Sequence, residues 1–130
     1  MASALGGMAC ASSGLGAAHA LGYPLDTRHR VSHGRSTGVF LPHVVRFNAA
    51  SRPERVRRLA ALVGGEDLAG WMEECMDQLR IPRRLRDYGV TRESVPDLAE
   101  EAWRTGQRLL ADSARVLGVD DAVAICERAW

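Results

Sequence analysis

The chain has 130 residues, of which 46% are hydrophobic and 25% charged, and its formal net charge is +1 at neutral pH. This length fits one domain, and the composition is typical of a soluble globular protein. Because the charges nearly balance, no nucleic acid is expected as a partner. All 17 basic side chains are arginines, which excludes a Schiff-base lysine or a P-loop lysine on this chain.

The cysteines and the N-terminal segment exclude several classes of protein. Cys10, Cys75 and Cys126 form no Cys-x-x-Cys pair, which argues against a zinc knuckle or a thioredoxin-like site. Cys75 and Cys126 fall at apolar helical positions and are expected to be buried. Unpaired cysteines fit a cytoplasmic protein best. Residues 1–25 are apolar, but they lack a preceding arginine and contain many small residues, so neither a signal peptide nor a membrane span is expected.

The first half of the chain is predicted to be helical, with interruptions at glycine and proline. Its first helix is apolar on every side, which predicts that it packs against other protein. In chain order the predicted elements are a helix at Ala2–Ser13, a helical turn at Ala17–Gly22 ended by Pro24, an arginine-rich loop at Asp26–Ser32, and a buried helix at Gly34–Asn48 that Pro42 kinks or divides.

The second half continues the helical periodicity. Pro53 suits the first turn of a helix that ends near Gly64, and Leu68 begins a second apolar face. A further helix is predicted at Asp97–Leu110, and Asp120 or its neighbour is expected to cap a last helix. That last helix places four residues on one face: Ala122, Ile125, Cys126 and Ala129. No alternating strand pattern of useful length occurs, so the predicted fold class is all-α.

Two histidines, His19 and His33, lie fourteen positions apart in a glycine-rich part of the chain. Imidazole is the commonest side-chain metal ligand, and its charge changes near neutral pH. Spacing alone leaves two interpretations open, a metal-binding pair or two structural histidines. His29 lies in the predicted polar loop and is expected to be exposed. His43 lies in an apolar stretch and is expected to be a buried structural side chain.

A longer pattern surrounds this pair. The run Gly14–Asn48 contains both histidines, the second followed by glycine, and then Phe40-Leu-Pro-His43-Val. It resembles the histidine motif of the iron-containing (group III) alcohol dehydrogenases, in which Gly-x-x-His, Pro-His-Gly, Leu-Leu-Pro-His-Val and Phe-Asn follow one another. A second stretch, Leu79–Val90, resembles the family's Gly-x-Pro-x-x-Leu-x-x-x-Gly-Val turn. The ending of the chain is similar to the family's terminal helix, so the resemblance covers the whole sequence.

The resemblance implies that residues 1–130 form part of the helical C-terminal domain of a metal-dependent alcohol dehydrogenase, without its NAD(P)-binding domain. Family members hold a divalent ion, iron or in some members zinc, with an Asp-x-x-x-His helix and two further histidines. By motif position those two are His19 and His33. This chain has neither Asp-x-x-x-His nor the Gly-Gly-Gly-Ser phosphate loop. The other metal ligands and most of the cofactor site are therefore expected outside it.

The resemblance also implies hydride transfer between an alcohol, or the corresponding aldehyde or ketone, and NAD or NADP, with no activity in this chain alone. Tyr23 stands where many members have a histidine near the nicotinamide, so the resemblance assigns it to the catalytic and cofactor-binding residues. A phenol forms hydrogen bonds but is a poorer proton relay than imidazole near neutral pH. A homo-oligomer is left open. The alternative is a freestanding, non-catalytic helical interaction module.

Overall fold

A computed structural model describes residues 1–130 and shows helices joined by turns, without any β-strand. The all-α fold class is therefore confirmed. None of the helices is both long enough and apolar enough to cross a membrane. In chain order the helices are α1 Ala2–Ser13, α2 Ala17–His29, α3 His33–Ala49, α4 Pro53–Leu62, α5 Leu68–Gln78, α6 Val95–Thr105, α7 Gln107–Leu110 and α8 Val119–Ala129, with two 3₁₀ helices at Leu85–Tyr88 and Arg92–Ser94.

Four helices, α2, α3, α6 and α8, enclose the hydrophobic core. Helix α2 packs along α3 and also against α6, and α8 closes the core against α3 and α6. The core is one cluster of 21 buried residues. Burying a large apolar side chain stabilises the fold by about 1.5–3 kcal/mol, so this cluster fixes α2 relative to α3. Its fully buried large side chains include Leu21, Leu25, Phe40, Leu98 and Ile125.

Helix α2 runs through Pro24, so the helix end predicted at this residue is wrong. The loop predicted at Asp26–Ser32 is also wrong as far as His29, which is the last residue of α2. A proline inside a helix removes one hydrogen bond, at a cost of roughly 3 kcal/mol. Pro24 is fully buried beside Leu25 in the core, and this burial offsets that cost. The tertiary packing therefore overrides the local signal for a helix end.

Two further predictions concern helix boundaries. Helix α3 is continuous through Pro42, which is buried, so of the expected kink or division the division is excluded. The single helix predicted at Asp97–Leu110 is in fact two helices, α6 and α7, separated at Gly106. A Cβ atom at Gly106 would lie 2.6 Å from the Cβ of Ala20 on α2. Because glycine has no side chain, the backbone between α6 and α7 can lie close to α2 at this position.

Other details of the second half are confirmed. Pro53 occupies the first turn of α4. At the start of α8 the carboxylate of Asp121 accepts a hydrogen bond of 3.0 Å from the N–H of Gly118. Cys126 is buried with its predicted neighbours on α8, and this burial raises the pKa of its thiol to about 12. Cys75 is half-buried, so its expected burial is only partial.

Helix α1 lies apart from the core. None of its residues is buried, and the side chains of Leu5 and Met8 are 60% and 66% exposed. A helix that is apolar on every side is normally covered by another surface. Within residues 1–130 no such surface covers α1, so its expected packing against other protein stays a prediction.

Candidate metal centre

The fold brings His19 and His33 together. His19 lies in the first turn of α2, and His33 is the first residue of α3. The two helices approach closely at Gly22, where a Cβ atom would lie 3.0 Å from the backbone carbonyl of Ser36. The centroids of the two imidazole rings are 5.2 Å apart, and the ring planes are inclined by 52°. The two histidines singled out in the sequence therefore share one location.

The surroundings of His19 favour its neutral form. The pKa of His19 is lowered, chiefly because the ring is partly buried and next because His33 lies beside it, while the Leu15 carbonyl opposes the shift. Its Nδ1 atom is buried and makes no hydrogen bond of full geometry, so the interaction with the Leu15 backbone is a weak one. A buried polar atom without a partner costs free energy and calls for an explanation. A neutral imidazole can bind a metal ion, whereas a protonated one cannot.

His33 has a different environment. Its side chain is 63% exposed, and its Nδ1 lies 3.0 Å from Oδ2 of Asp26 on α2. The other carboxylate oxygen of Asp26 accepts a hydrogen bond of 2.9 Å from the hydroxyl of Ser36. Imidazole carries its two nitrogens on different edges of the ring. With Nδ1 facing the carboxylate, Nε2 is the nitrogen that remains for another partner.

The histidine pair fits one half of a metal site. Two imidazoles that bind one tetrahedral ion at about 2.1 Å have ring centres roughly 5 Å apart. The observed separation of His19 and His33 is 5.2 Å, and imidazole suits both iron and zinc. No group of three or more histidine, cysteine, aspartate or glutamate side chains converges within residues 1–130. Since a metal site normally has about four ligands, the two histidines alone would make up half of one.

The remaining candidate residues lie outside the pair. Tyr23 is one helical turn after His19 on α2, and its side chain is 57% exposed. His29, expected to be exposed, is half-buried at the end of α2. His43 lies on α3 and is also half-buried, and its pKa is lowered by burial and by nearby arginines, Arg46 foremost. Neither His29 nor His43 lies in a group of three or more metal-ligating side chains.

Asp26 and Ser36 contact the site but were not identified from the sequence. A signal was present, because His19, Tyr23 and Asp26 follow one another at intervals of four and three residues, which places them along one face of a helix. The signal holds only if α2 continues through Pro24. A proline in a helical pattern normally predicts the end of the helix. For this reason the sequence did not indicate that Asp26 shares a helix face with His19.

Comparison with known proteins places the chain in a family. The family model described as Fe-containing alcohol dehydrogenase family, C-terminal, matches residues 1–130. The chain is 30% identical to lactaldehyde reductase of Escherichia coli strain K12, over 95% of this chain and 35% of that protein. It is 33% identical to 1,3-propanediol dehydrogenase of Klebsiella pneumoniae, over 81% of this chain and 30% of that protein. The chain thus spans about a third of the length of these curated relatives.

Solved structures show the same helical arrangement. The crystal structure of 1,3-propanediol oxidoreductase matches with a TM-score of 0.81 at 28% identity, covering 89% of this chain and 33% of that chain. An alcohol dehydrogenase from Oenococcus oeni matches with a TM-score of 0.80 at 28% identity, covering 95% of this chain and 35% of that chain. The fold of residues 1–130 therefore recurs as one part of larger proteins.

Proposed function

Because the chain belongs to the Fe-containing alcohol dehydrogenase family, we propose that residues 1–130 form the helical C-terminal domain of a metal-dependent alcohol dehydrogenase. The whole protein transfers hydride between an alcohol, or the matching aldehyde or ketone, and NAD or NADP. This chain contributes His19 and His33 as two ligands of one divalent ion, iron or zinc. The remaining ligands and the NAD(P)-binding domain come from outside this chain, so the chain alone is inactive.

The separation of the two imidazole rings carries this proposal. At 5.2 Å it agrees with two nitrogen ligands that share one ion at ordinary bond lengths. The contact between His33 and Asp26 involves only the Nδ1 edge of His33 and does not account for the position of His19. Most of the His33 ring is exposed, so its Nε2 edge is open to a further partner. Two structural histidines have no need to face each other in this way.

The residues of this chain have distinct tasks in the proposed reaction. A bound divalent ion polarises the oxygen of an alcohol or carbonyl substrate, and the nicotinamide supplies the hydride chemistry. His19 binds as a neutral ligand, which its lowered pKa favours. The exposed ring of His33 leaves the pair accessible from one side. The core formed by α2 and α3 keeps the two rings at a fixed separation.

Tyr23 is proposed as the residue that contacts the cofactor and takes part in catalysis. Its side chain is exposed one helical turn from His19, which supports a role at the face of α2 where the nicotinamide and the substrate would bind. Its hydroxyl can donate or accept a hydrogen bond there. We also propose cytoplasmic residence, which three free cysteines fit.

The proposal is tested on the whole protein that contains this chain. The metal content of the purified protein is measured together with NAD(P)H-dependent reduction of a small aldehyde. His19→Ala and His33→Ala should each remove the metal and the activity. The matched variant His29→Ala should retain both, because His29 lies outside the pair.

Two outcomes would contradict the proposal. Full metal content in either His19→Ala or His33→Ala would show that these residues are not ligands. Equal loss in all three alanine variants would point to a general effect on folding. A whole protein that is folded but binds no metal would support the non-catalytic interaction module instead.

A further inference from the structure

We infer that Asp26 is a positioning residue that orients the ring of His33 for metal binding, an inference that rests on the function proposed above. Nδ1 of His33 lies 3.0 Å from Oδ2 of Asp26. A neutral imidazole that donates its Nδ1 proton to this carboxylate keeps the lone pair of Nε2 free. Nε2 is therefore the nitrogen that His33 offers to the ion.

The carboxylate of Asp26 is itself held in place. It lies on the last turn of α2, with 22% of its side chain exposed. Its Oδ1 atom accepts a hydrogen bond of 2.9 Å from Ser36, which is fully buried in α3. Each carboxylate oxygen thus has its own donor on α3. Rotation of the carboxylate would break at least one of these hydrogen bonds, so the group has a defined orientation.

The position of Asp26 distinguishes it from a metal ligand. Its carboxylate faces the Nδ1 edge of His33, and a separation of 3.0 Å is a hydrogen-bond distance. A carboxylate in this place fixes the tautomer and the orientation of the histidine and increases its basicity as a ligand. Asp26 therefore acts on the ion through His33.

The first test needs no metal and reads the protons of His33 directly. Long-range ¹H–¹⁵N NMR correlations at mildly alkaline pH identify which nitrogen of the neutral ring carries the proton. The chain should show His33 protonated on Nδ1. Asp26→Asn should weaken this preference, because an amide offers a donor as well as an acceptor. Asp120→Asn is the matched control, since Asp120 is exposed on α8, and it should change nothing.

The second test measures, by calorimetric titration, the zinc affinity of the metal-free whole protein that contains this chain, and of its variants. Asp26→Asn should weaken Zn²⁺ binding about tenfold to a hundredfold, and Ser36→Ala should weaken it less. Asp120→Asn should bind like the unchanged chain. Far-UV circular dichroism of each variant checks that the helices are retained.

The outcomes separate this inference from the proposed function. If His33→Ala abolishes zinc binding while Asp26→Asn binds as tightly as the unchanged chain, the role of Asp26 is overturned and the metal site stands. If neither histidine is needed for zinc binding, the proposed metal site fails. The NMR measurement still decides whether Asp26 orients His33, and a His33 protonated on Nε2 would overturn that role.

Discussion

Helix α3 carries histidines in two contrasting settings. His33, at its first residue, faces His19 across a ring separation of 5.2 Å. His43, ten residues further on, lies beside Arg46 and Glu73, which form an ion pair with each other. At the His19–His33 pair, imidazole nitrogens remain without protein partners. Around His43, by contrast, the neighbouring charged side chains are paired with each other. The contrast shows that a histidine's position in the motif does not by itself identify the candidate site. What identifies the site is that two imidazole rings face each other.

The charged side chains around His43 form ion pairs that connect neighbouring helices. Two side-chain nitrogens of Arg46 donate to the two carboxylate oxygens of Glu73, and Arg83 lies 3.5 Å from the same carboxylate. The hydrogen bonds from Arg46 lower the pKa of Glu73, and burial opposes the shift. The ion pair ties α3 to α5 and occupies Glu73, the carboxylate that acts on the pKa of His43. We therefore assign His43 to the packing between these two helices.

The largest expected difference between the two settings is in metal binding. In the whole protein, His33→Ala should abolish the binding of Zn²⁺ at the histidine pair, because a site of about four ligands then lacks one of them. His43→Ala should leave zinc binding unchanged. Calorimetric titration of both variants and of His29→Ala measures the effect. Loss of zinc binding in His43→Ala but not in His33→Ala would show that His43, and not His33, is the metal ligand.

A smaller effect is expected where α2 and α3 approach each other. In Gly22→Ala the added Cβ would meet the backbone of Ser36 at 3.0 Å, which should lower the free energy of unfolding by about 1–3 kcal/mol and weaken zinc binding by moving His19 away from His33. Gly38→Ala on α3 is the matched control, because a Cβ there meets nothing within 4 Å. Urea unfolding measures both. Equal stability of the two variants would show that the close approach at Gly22 does not constrain the site.

The smallest expected effect concerns the structural region. The lowered pKa of Glu73 means that the unfolded chain takes up a proton first as the pH falls. The stability contributed by the ion pair is complete above the ordinary carboxyl pKa and is lost as the pH falls through the lowered value. Glu73→Gln should reduce the free energy of unfolding at neutral pH by about 0.5–1 kcal/mol and flatten its decline in acid.

The comparison variant for this prediction is Glu54→Gln, which removes an exposed ion pair with Arg57. It should change the unfolding free energy little at any pH, since exposed pairs contribute little. Urea unfolding at a series of acidic pH values provides the measurement. If the free energy of unfolding of Glu73→Gln declines in acid as steeply as that of the unchanged chain, Glu73 does not cause the decline.

The helical character of the chain could be predicted from the sequence, but the surroundings of the site could not. The 3.6-residue periodicity and the proline at the start of α4 identify helices locally. The continuation of α2 through Pro24 depends on burial of Pro24 among core side chains that are distant in sequence. Because this continuation places Asp26 on the same helix as His19, the contact between Asp26 and His33 depends on long-range packing. A local pattern carries no information about such packing.

The candidate pair itself was accessible from the sequence through its motif. The motif singles out His19 and His33 but gives no distance between their rings, since that distance follows from the close approach of α2 and α3. The position of Gly106 shows the same limit. A glycine there was visible, but its close approach to Ala20 on α2 arises only when the core assembles.

Anomalous X-ray diffraction at the zinc absorption edge, from crystals of the whole protein loaded with Zn²⁺, decides whether His19 and His33 bind one ion. We expect one peak between the two rings, about 2.1 Å from Nε2 of His33 and from a ring nitrogen of His19. The carboxylate of Asp26 should remain on the Nδ1 side of His33. A peak at His43 or His29 with none between His19 and His33 would contradict the account, and so would the absence of any peak at the pair in zinc-saturated crystals.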